Sequence, residues 1–159
     1  MHVTGALAGK AAIVTGGDTG IGAAIVRGLA ARGASVVIDY VGDATPAQAL
    51  VADLANAGQK AAAVAADVSK AADVQNLVDE CVKTFGSLDI MVNNAGLEHR
   101  YPFVDTPDSV WDLVIAVNLT GTYLCSKAAA KQMIAQGRGG RIINISSIHE
   151  DVTAPTNSP

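Results

Sequence analysis

Five short apolar runs punctuate this chain, and a segment with helical periodicity separates each from the next. The runs are Ala11–Thr15, Ser35–Tyr40, Ala61–Ala66, Ile90–Asn93 and Arg141–Ser146. The first helical stripe is Ile21, Ala24, Ile25, Gly28 and Leu29, and the second is Leu50, Val51 and Leu54. A cleaner one follows at Val74, Leu77, Val78, Cys81, Val82 and Phe85, and the last starts at Trp111, Val114 and Ile115 and runs toward Met133. Strands that are apolar on both sides and alternate with helices make a parallel sheet covered on both faces. Such sheets bind ligands beyond the carboxyl ends of their strands, at the switch point. With 159 residues the chain is at most one domain, of the α/β class.

Two motifs fall at those strand ends. The first run leads directly into Thr15-Gly16-x-x-x-Gly20-Ile21-Gly22, which gives a strand, a glycine-rich turn and a helix. Gly16 permits a tight turn, and Gly20 and Gly22 let backbone and ligand approach closely. The helix start then offers unpaired N–H groups and a partial positive charge to a phosphate. An ordinary glycine turn without a ligand is the alternative. The second motif, Asn93-Asn94-Ala95-Gly96, closes the fourth run.

The spacing of Thr15, Gly16, Gly20 and Gly22 resembles the phosphate turn of the short-chain dehydrogenase/reductase family. Asp67-Val68, Asn93-Asn94-Ala95-Gly96, Asn118 and Ser146-Ser147 fall where that family's later motifs fall. In detail, Gly-Gly-Asp-Thr-Gly-Ile-Gly, Asn-Asn-Ala-Gly-Leu-Glu and Ser-Ser-Ile-His-Glu resemble the bacterial glucose 1-dehydrogenases. The resemblance implies a Rossmann-like doubly wound sheet in the order 3-2-1-4-5, over a single NAD(P)-binding domain spanning residues 1–159 and lacking its C-terminal part. It implies an oxidoreductase that moves hydride between a nicotinamide and a secondary alcohol or sugar hydroxyl.

The resemblance also assigns residues. Gly16, Asp18, Thr19, Gly20, Ile21 and Gly22 would hold the cofactor's pyrophosphate side. Asp67 and Val68 would meet the adenine, with a helix N-cap region shared with Ser69 as the other reading of Asp67. Asn94, Ala95 and Gly96 would border the cofactor ribose, although a structural role for Asn93 and Asn94 is open. Ser147 would orient the substrate, with Ser146 as its rival. Asn118, expected to be buried and therefore hydrogen-bonded, would hold a proton-relaying water or else mark a helix irregularity. Glu98 and His149 would border a polyhydroxylated substrate.

Cofactor choice turns on the end of the second run, Ile38-Asp39-Tyr40-Val41-Gly42-Asp43. An acidic residue there can hold a ribose, and a basic one accommodates a 2′-phosphate. No Lys or Arg follows closely, and Thr19 stands where phosphate-preferring relatives often carry Arg. If exposed, Asp39 and Asp43 would each repel a 2′-phosphate by about 1 kcal/mol. NAD is expected, with NADP possible, and Tyr40 holds the discriminating place.

The family's proton donor is a Tyr about thirteen residues after the serine, followed by a Lys four residues on. That places the Tyr at position 160, and the sequence stops at Pro159. A free Tyr has a pKa of about 10, and lowering it by about three units takes roughly 4 kcal/mol. A nearby Lys and the nicotinamide would supply this. Tyr123 and Lys127 match the spacing but precede the serine strand, on an apolar helix, so they are set aside. A catalytically incompetent dinucleotide-binding module is the alternative function, and a different Rossmann enzyme a more distant one. The isolated chain is expected to aggregate and to show no turnover.

Composition limits the remaining classes. A net charge of −4 without basic clusters disfavours nucleic acid. No apolar stretch approaches a membrane span, and no basic segment precedes an apolar one as in a secretory signal. Cys81 and Cys125 lack metal-ligand spacing, so no metal is expected, and buried free thiols in a reducing cytoplasm are the reading. The expected partners are a small alcohol or carbonyl substrate and, from the resemblance, three further copies in a homotetramer.

Overall fold

A computed structural model describes residues 5–147. Strands β1 (Ala11–Val14), β2 (Ser35–Tyr40), β3 (Ala61–Ala65), β4 (Ile90–Asn93) and β5 (Arg141–Asn144) form one sheet in the order β3-β2-β1-β4-β5. Every pairing is parallel. The expected order and alternation are therefore both present. Three strands stop one or two residues short of the apolar runs, yet single backbone bonds carry the ladder on. Thr15 N–H reaches the Val92 carbonyl, Ala66 N–H that of Tyr40, and Ile145 N–H that of Asn93.

Helices α1 (Gly20–Ala31) and α2 (Thr45–Asn56) cover one face, and α3 (Ala71–Phe85) and α5 (Thr122–Ala135) the other. The two cores divide by strand parity, because successive side chains point to opposite faces. Ile13, Val37 and Met91 pack under α3 and α5, whereas Val14, Ile38 and Val92 pack under α1 and α2. β1 and β4 are buried along their whole length, and β5 at the edge is exposed along its own. An edge strand of this kind leaves pairing groups uncovered.

The α1 stripe differs from expectation. Its buried face is Gly22, Val26 and Ala30, while Ile21 is 68% exposed and Ala24 is exposed. Close helix–sheet packing selects the small residues: a Cβ on Gly22 would lie 2.1 Å from the Gly16 carbonyl oxygen. Apolarity alone mis-set the phase. Ile21 sits on the first turn, at the mouth of the glycine turn.

Between β4 and β5 the chain forms one continuous helix, α4 (Asp108–Val114), a π-helical segment (Ile115–Gly121) and α5. Spanning Asp108–Ala135, with a mean hydropathy of 1.3 in its most apolar window, it is long and apolar enough to cross a membrane. This corrects the expectation that no stretch is. Polar residues at Asn118, Thr120 and Thr122 break the apolar pattern in sequence, and the π segment joins the pieces. Val114, Cys125, Ala129 and Met133 are buried on its inner side, and Trp111, expected in the stripe, is 42% exposed. Gly121 is required where the helix passes the segment after β3, since a Cβ there would meet Val68 at 2.8 Å.

Cys81 and Cys125 are buried and free. Burial, with Asp89 near the first and Asp39 near the second, pushes each thiol up to about 12.

At the sheet's amino end, Asp89 ties three strands together. Its carboxylate accepts from Ala11 N–H at 2.9 Å and Ser87 Oγ at 2.8 Å, and pairs with Lys10 and Arg138 at 3.4 Å. Burial alone would raise its pKa, but the amide, the hydroxyl and the two cations outweigh it and hold it below the ordinary value. A depressed carboxyl contributes stability above its unfolded pKa, near 4, and loses it as the pH falls through the folded one. Asp89→Ala is expected to cost about 2–3 kcal/mol at pH 7 by urea denaturation. The difference from wild type should shrink below pH 4.

Candidate active site

The β1–α1 turn is held from both neighbouring strands. From β4, Asn94 Nδ2 donates to the Thr15 and Gly16 carbonyls, each at 3.0 Å. Thr15 Oγ1, buried, accepts from the Asn94 and Ala95 amides at 2.9 and 3.0 Å and donates to the Val92 carbonyl. From β2, the Asp39 carbonyl accepts from Gly17 N–H at 2.9 Å, and its Oδ2 accepts from Gly16 N–H at 3.1 Å. The two motifs noted in the sequence thus meet, bonded through the Asn94 side chain and the Thr15 hydroxyl.

Within this hold the turn has the form a phosphate needs. Gly16 and Gly20 take φ of 56° and 52°, and nothing lies within 4 Å of a Cβ built on Gly20. Helix geometry leaves the amides of Gly20, Ile21 and Gly22 without intrahelical acceptors. Thr19 caps none of them with its side chain. Open space over uncapped amides at a helix start fits the pyrophosphate of a dinucleotide.

Asp39 is 1% exposed, so its carboxyl is turned inward and is no exposed charge beside a ribose. Burial, then Asp18 nearby, raises its pKa to about 7 against the pull of the Gly16 amide. Among the described residues its Oδ1 has no hydrogen-bond partner. Parity carried a usable signal, because Asp39 shares the inner face with Val37. Tyr40 is half-buried at the strand end, and Val41 beyond it is 69% exposed. Asp43 is exposed and accepts from Thr45 N–H and Oγ1 at the start of α2, which lowers its pKa.

Asp67 follows β3, half-buried. Its Oδ1 accepts from Ser69 Oγ at 2.6 Å and Ser69 N–H at 3.0 Å, and Oδ2 pairs with Lys70 at 3.1 Å. The Ser69 hydroxyl is the main cause of its lowered pKa. Asp67 thus ties the chain just before α3, whose N-cap is Lys70 with no side-chain cap bond, while Val68 is buried. Asn93 Nδ2 donates to Ser126 Oγ at 2.9 Å and Asn144 Oδ1 at 2.7 Å, joining β4 to α5 and β5.

Asn118 lies in the π-helical segment and is exposed, contrary to the expected burial. Its amide still finds partners, because the helix passes the loop after Gly96. Oδ1 accepts from Leu97 N–H at 2.8 Å and Nδ2 donates to the Leu97 carbonyl at 2.9 Å. The helix irregularity posed as one alternative is present, and the side chain is engaged with the Leu97 backbone. Glu98, one residue on, is exposed and pairs with Arg100 at 3.3 Å. Ser146 and Ser147 follow β5 at the same end of the sheet, and His149 lies outside the described residues. Tyr123 and Lys127 touch, with Lys127 Nζ 3.2 Å from the Tyr123 hydroxyl, on the exposed side of α5.

The hydrogen-bonding roles of Thr15, Asn93 and Arg100 were not assigned from sequence. Those of Thr15 and Asn93 depend on which strands become neighbours, whereas Arg100 meets Glu98 two residues away on one loop.

The family model for short chain dehydrogenases matches residues 10–159. An L-rhamnose 1-dehydrogenase (NAD(P)(+)) of Sphingomonas sp. (strain SKA58) is 45% identical over 142 residues, which cover 89% of this chain and 56% of that protein. Glucose 1-dehydrogenase 2 of Bacillus subtilis (strain 168) is 40% identical over 157 residues, covering 95% and 59%. The crystal structure of a dehydrogenase/reductase from Sinorhizobium meliloti 1021 superposes with a TM-score of 0.89 at 42% identity, covering 96% of this chain and 60% of that one. The chain thus spans less than two thirds of the length of the relatives it matches.

Proposed function

The chain belongs to the short-chain dehydrogenase family, and we propose that it supplies the dinucleotide-binding domain of an NAD(P)-dependent oxidoreductase acting on a secondary alcohol or sugar hydroxyl. The observation that carries this reading is the glycine turn clamped by two strands, with no side-chain cap on the α1 start and open space at Gly20. When bound, the nicotinamide supplies the hydride acceptor or donor. The protein's own residues bind and orient. The turn from Gly16 to Gly22, with Asp18, Thr19 and Ile21, cradles the pyrophosphate. Asp67 and Val68 border the adenine, and Asn94, Ala95 and Gly96 the second ribose.

Ser147 orients the reacting oxygen, and Asn118 fixes the Leu97 backbone and holds a water that passes protons to solvent. A homotetramer is the assembly proposed for the full-length protein, with the exposed Leu119, Tyr123 and Ile134 of the long helix available for contact between copies. The polyhydroxylated substrate class rests on the rhamnose and glucose enzymes among the relatives, with Glu98 and His149 contacting hydroxyls. NAD is preferred because Tyr40, Val41 and Asp43 offer no cation for a 2′-phosphate.

Calorimetric titration of the full-length protein is expected to show NAD binding more tightly than NADP. NADP tighter by tenfold, about 1.4 kcal/mol, would overturn the reading of the β2 end. Glu98→Ala is expected to raise KM for an aldose several-fold with kcat little changed. Unchanged kinetics, or turnover of steroids but not sugars, would contradict the substrate class.

A further inference from the structure

Asp39 is an unusual choice for its position. A carboxyl buried to 1% exposure, with one oxygen on the Gly16 amide and the other without a hydrogen-bond partner among the described residues, is costly when ionised. Apolar or amide side chains would fill the same space without a charge. The site also faces the turn proposed to receive a pyrophosphate, so an ionised Asp39 would stand as a third negative charge behind it.

We propose that Asp39 is a positioning residue that takes up one proton as a dinucleotide enters the turn, so that cofactor binding and neutralisation of this carboxyl are coupled. The proton comes from solvent buffer and forms an O–H bond on the carboxyl, and the negative charge of Asp39 is replaced by that of the incoming pyrophosphate. Only the neutral form holds the Gly16 amide without repelling the ligand. Among the described residues, the titratable groups acting on Asp39 are Asp18 from the turn itself and the Cys125 thiol from α5. The backbone amides of Tyr40 and Ala66 also act on the carboxyl and pull its pKa down, although among the described residues Oδ1 makes no hydrogen bond of full geometry. Asp18 adds to the penalty on the ionised form, and the thiol stays neutral, since burial pushes it up to about 12. Asp39 in the free protein titrates near neutrality, at about 7, so the uptake falls in an accessible pH range. The direction follows from linkage: a ligand that favours the protonated form binds more weakly as the pH rises past the free protein's pKa.

The inference rests on the dinucleotide reading, and the test separates the two. NADH is titrated calorimetrically into the full-length protein at pH 8 in buffers of different ionisation enthalpy; its uncharged dihydronicotinamide leaves neighbouring acids unshifted. Uptake approaching one proton is expected, on the order of 0.5–1, with Kd rising about five- to twentyfold from pH 7 to 9. Asp39→Asn keeps an acceptor for the Gly16 amide, so it should still bind NADH, with less than about 0.2 proton taken up and a Kd flat within about twofold. NADH binding to wild type without proton uptake would overturn the role of Asp39 while leaving the cofactor reading intact. Proton uptake and a pH slope that persist in Asp39→Asn would do the same. Failure of NADH to bind wild type at all would overturn both.

Discussion

The arrangement of this domain depends on one amide side chain. Asn94 Nδ2 spans from the end of β4 to two successive carbonyls of the β1–α1 turn, at 3.0 Å each. Those carbonyls face away from the ladder once the chain leaves β1, and in a buried setting unpaired carbonyls cost free energy. Satisfying them from β4 fixes the turn against the strand across the switch point. Thr15 Oγ1 completes the same junction by accepting two amides of the Asn-Asn-Ala-Gly segment. The site is therefore a seam between two strands that are far apart in sequence and adjacent in the sheet.

The opposite side of the turn is held by β2 through Asp39, and the difference between the two sides matters for chemistry. The Asn94 clamp is neutral at any pH a protein survives. The Asp39 clamp carries a titratable group raised by burial, so its electrostatics depend on what occupies the space above α1. Beyond the turn, the polar side chains of Asp67, Asp43 and Asn118 act first on backbone: they shape the starts of α3 and α2 and the loop at Leu97. A rigid rim of this kind suits a site that must place a long cofactor with little rearrangement.

The sheet was legible because parallel strands buried on both faces leave near-continuous apolar runs, and because the glycine spacing marks one strand–helix junction. The phase of α1 was not. Apolarity predicted Ile21 and Ala24 inside, whereas the closeness of helix to sheet selects Gly22, Val26 and Ala30. The long helix was read as one stripe from Trp111 toward Met133, but its π-helical segment around Asn118 was only raised as a possible irregularity, because a regular period does not mark it. At the site, motif order placed Gly16 and Asn94 at the same end of the sheet, but the bond between them needs the tertiary fold. The inward turn of Asp39 was readable from strand parity with Val37, but a motif-based reading assigns the acidic residue to a ribose and passes over parity. Contacts such as Asn93 with Ser126 and Asn144 need the tertiary fold.

The central claim is that the α1 amides over the clamped turn receive a dinucleotide. Hydrogen–deuterium exchange of the full-length protein with and without saturating NADH tests it most directly, read on the peptide covering residues 16–26. The account predicts slowed exchange there, at the uncapped amides of Gly20, Ile21 and Gly22, when the cofactor is bound. Demonstrable NADH binding with exchange in that peptide unchanged would contradict it.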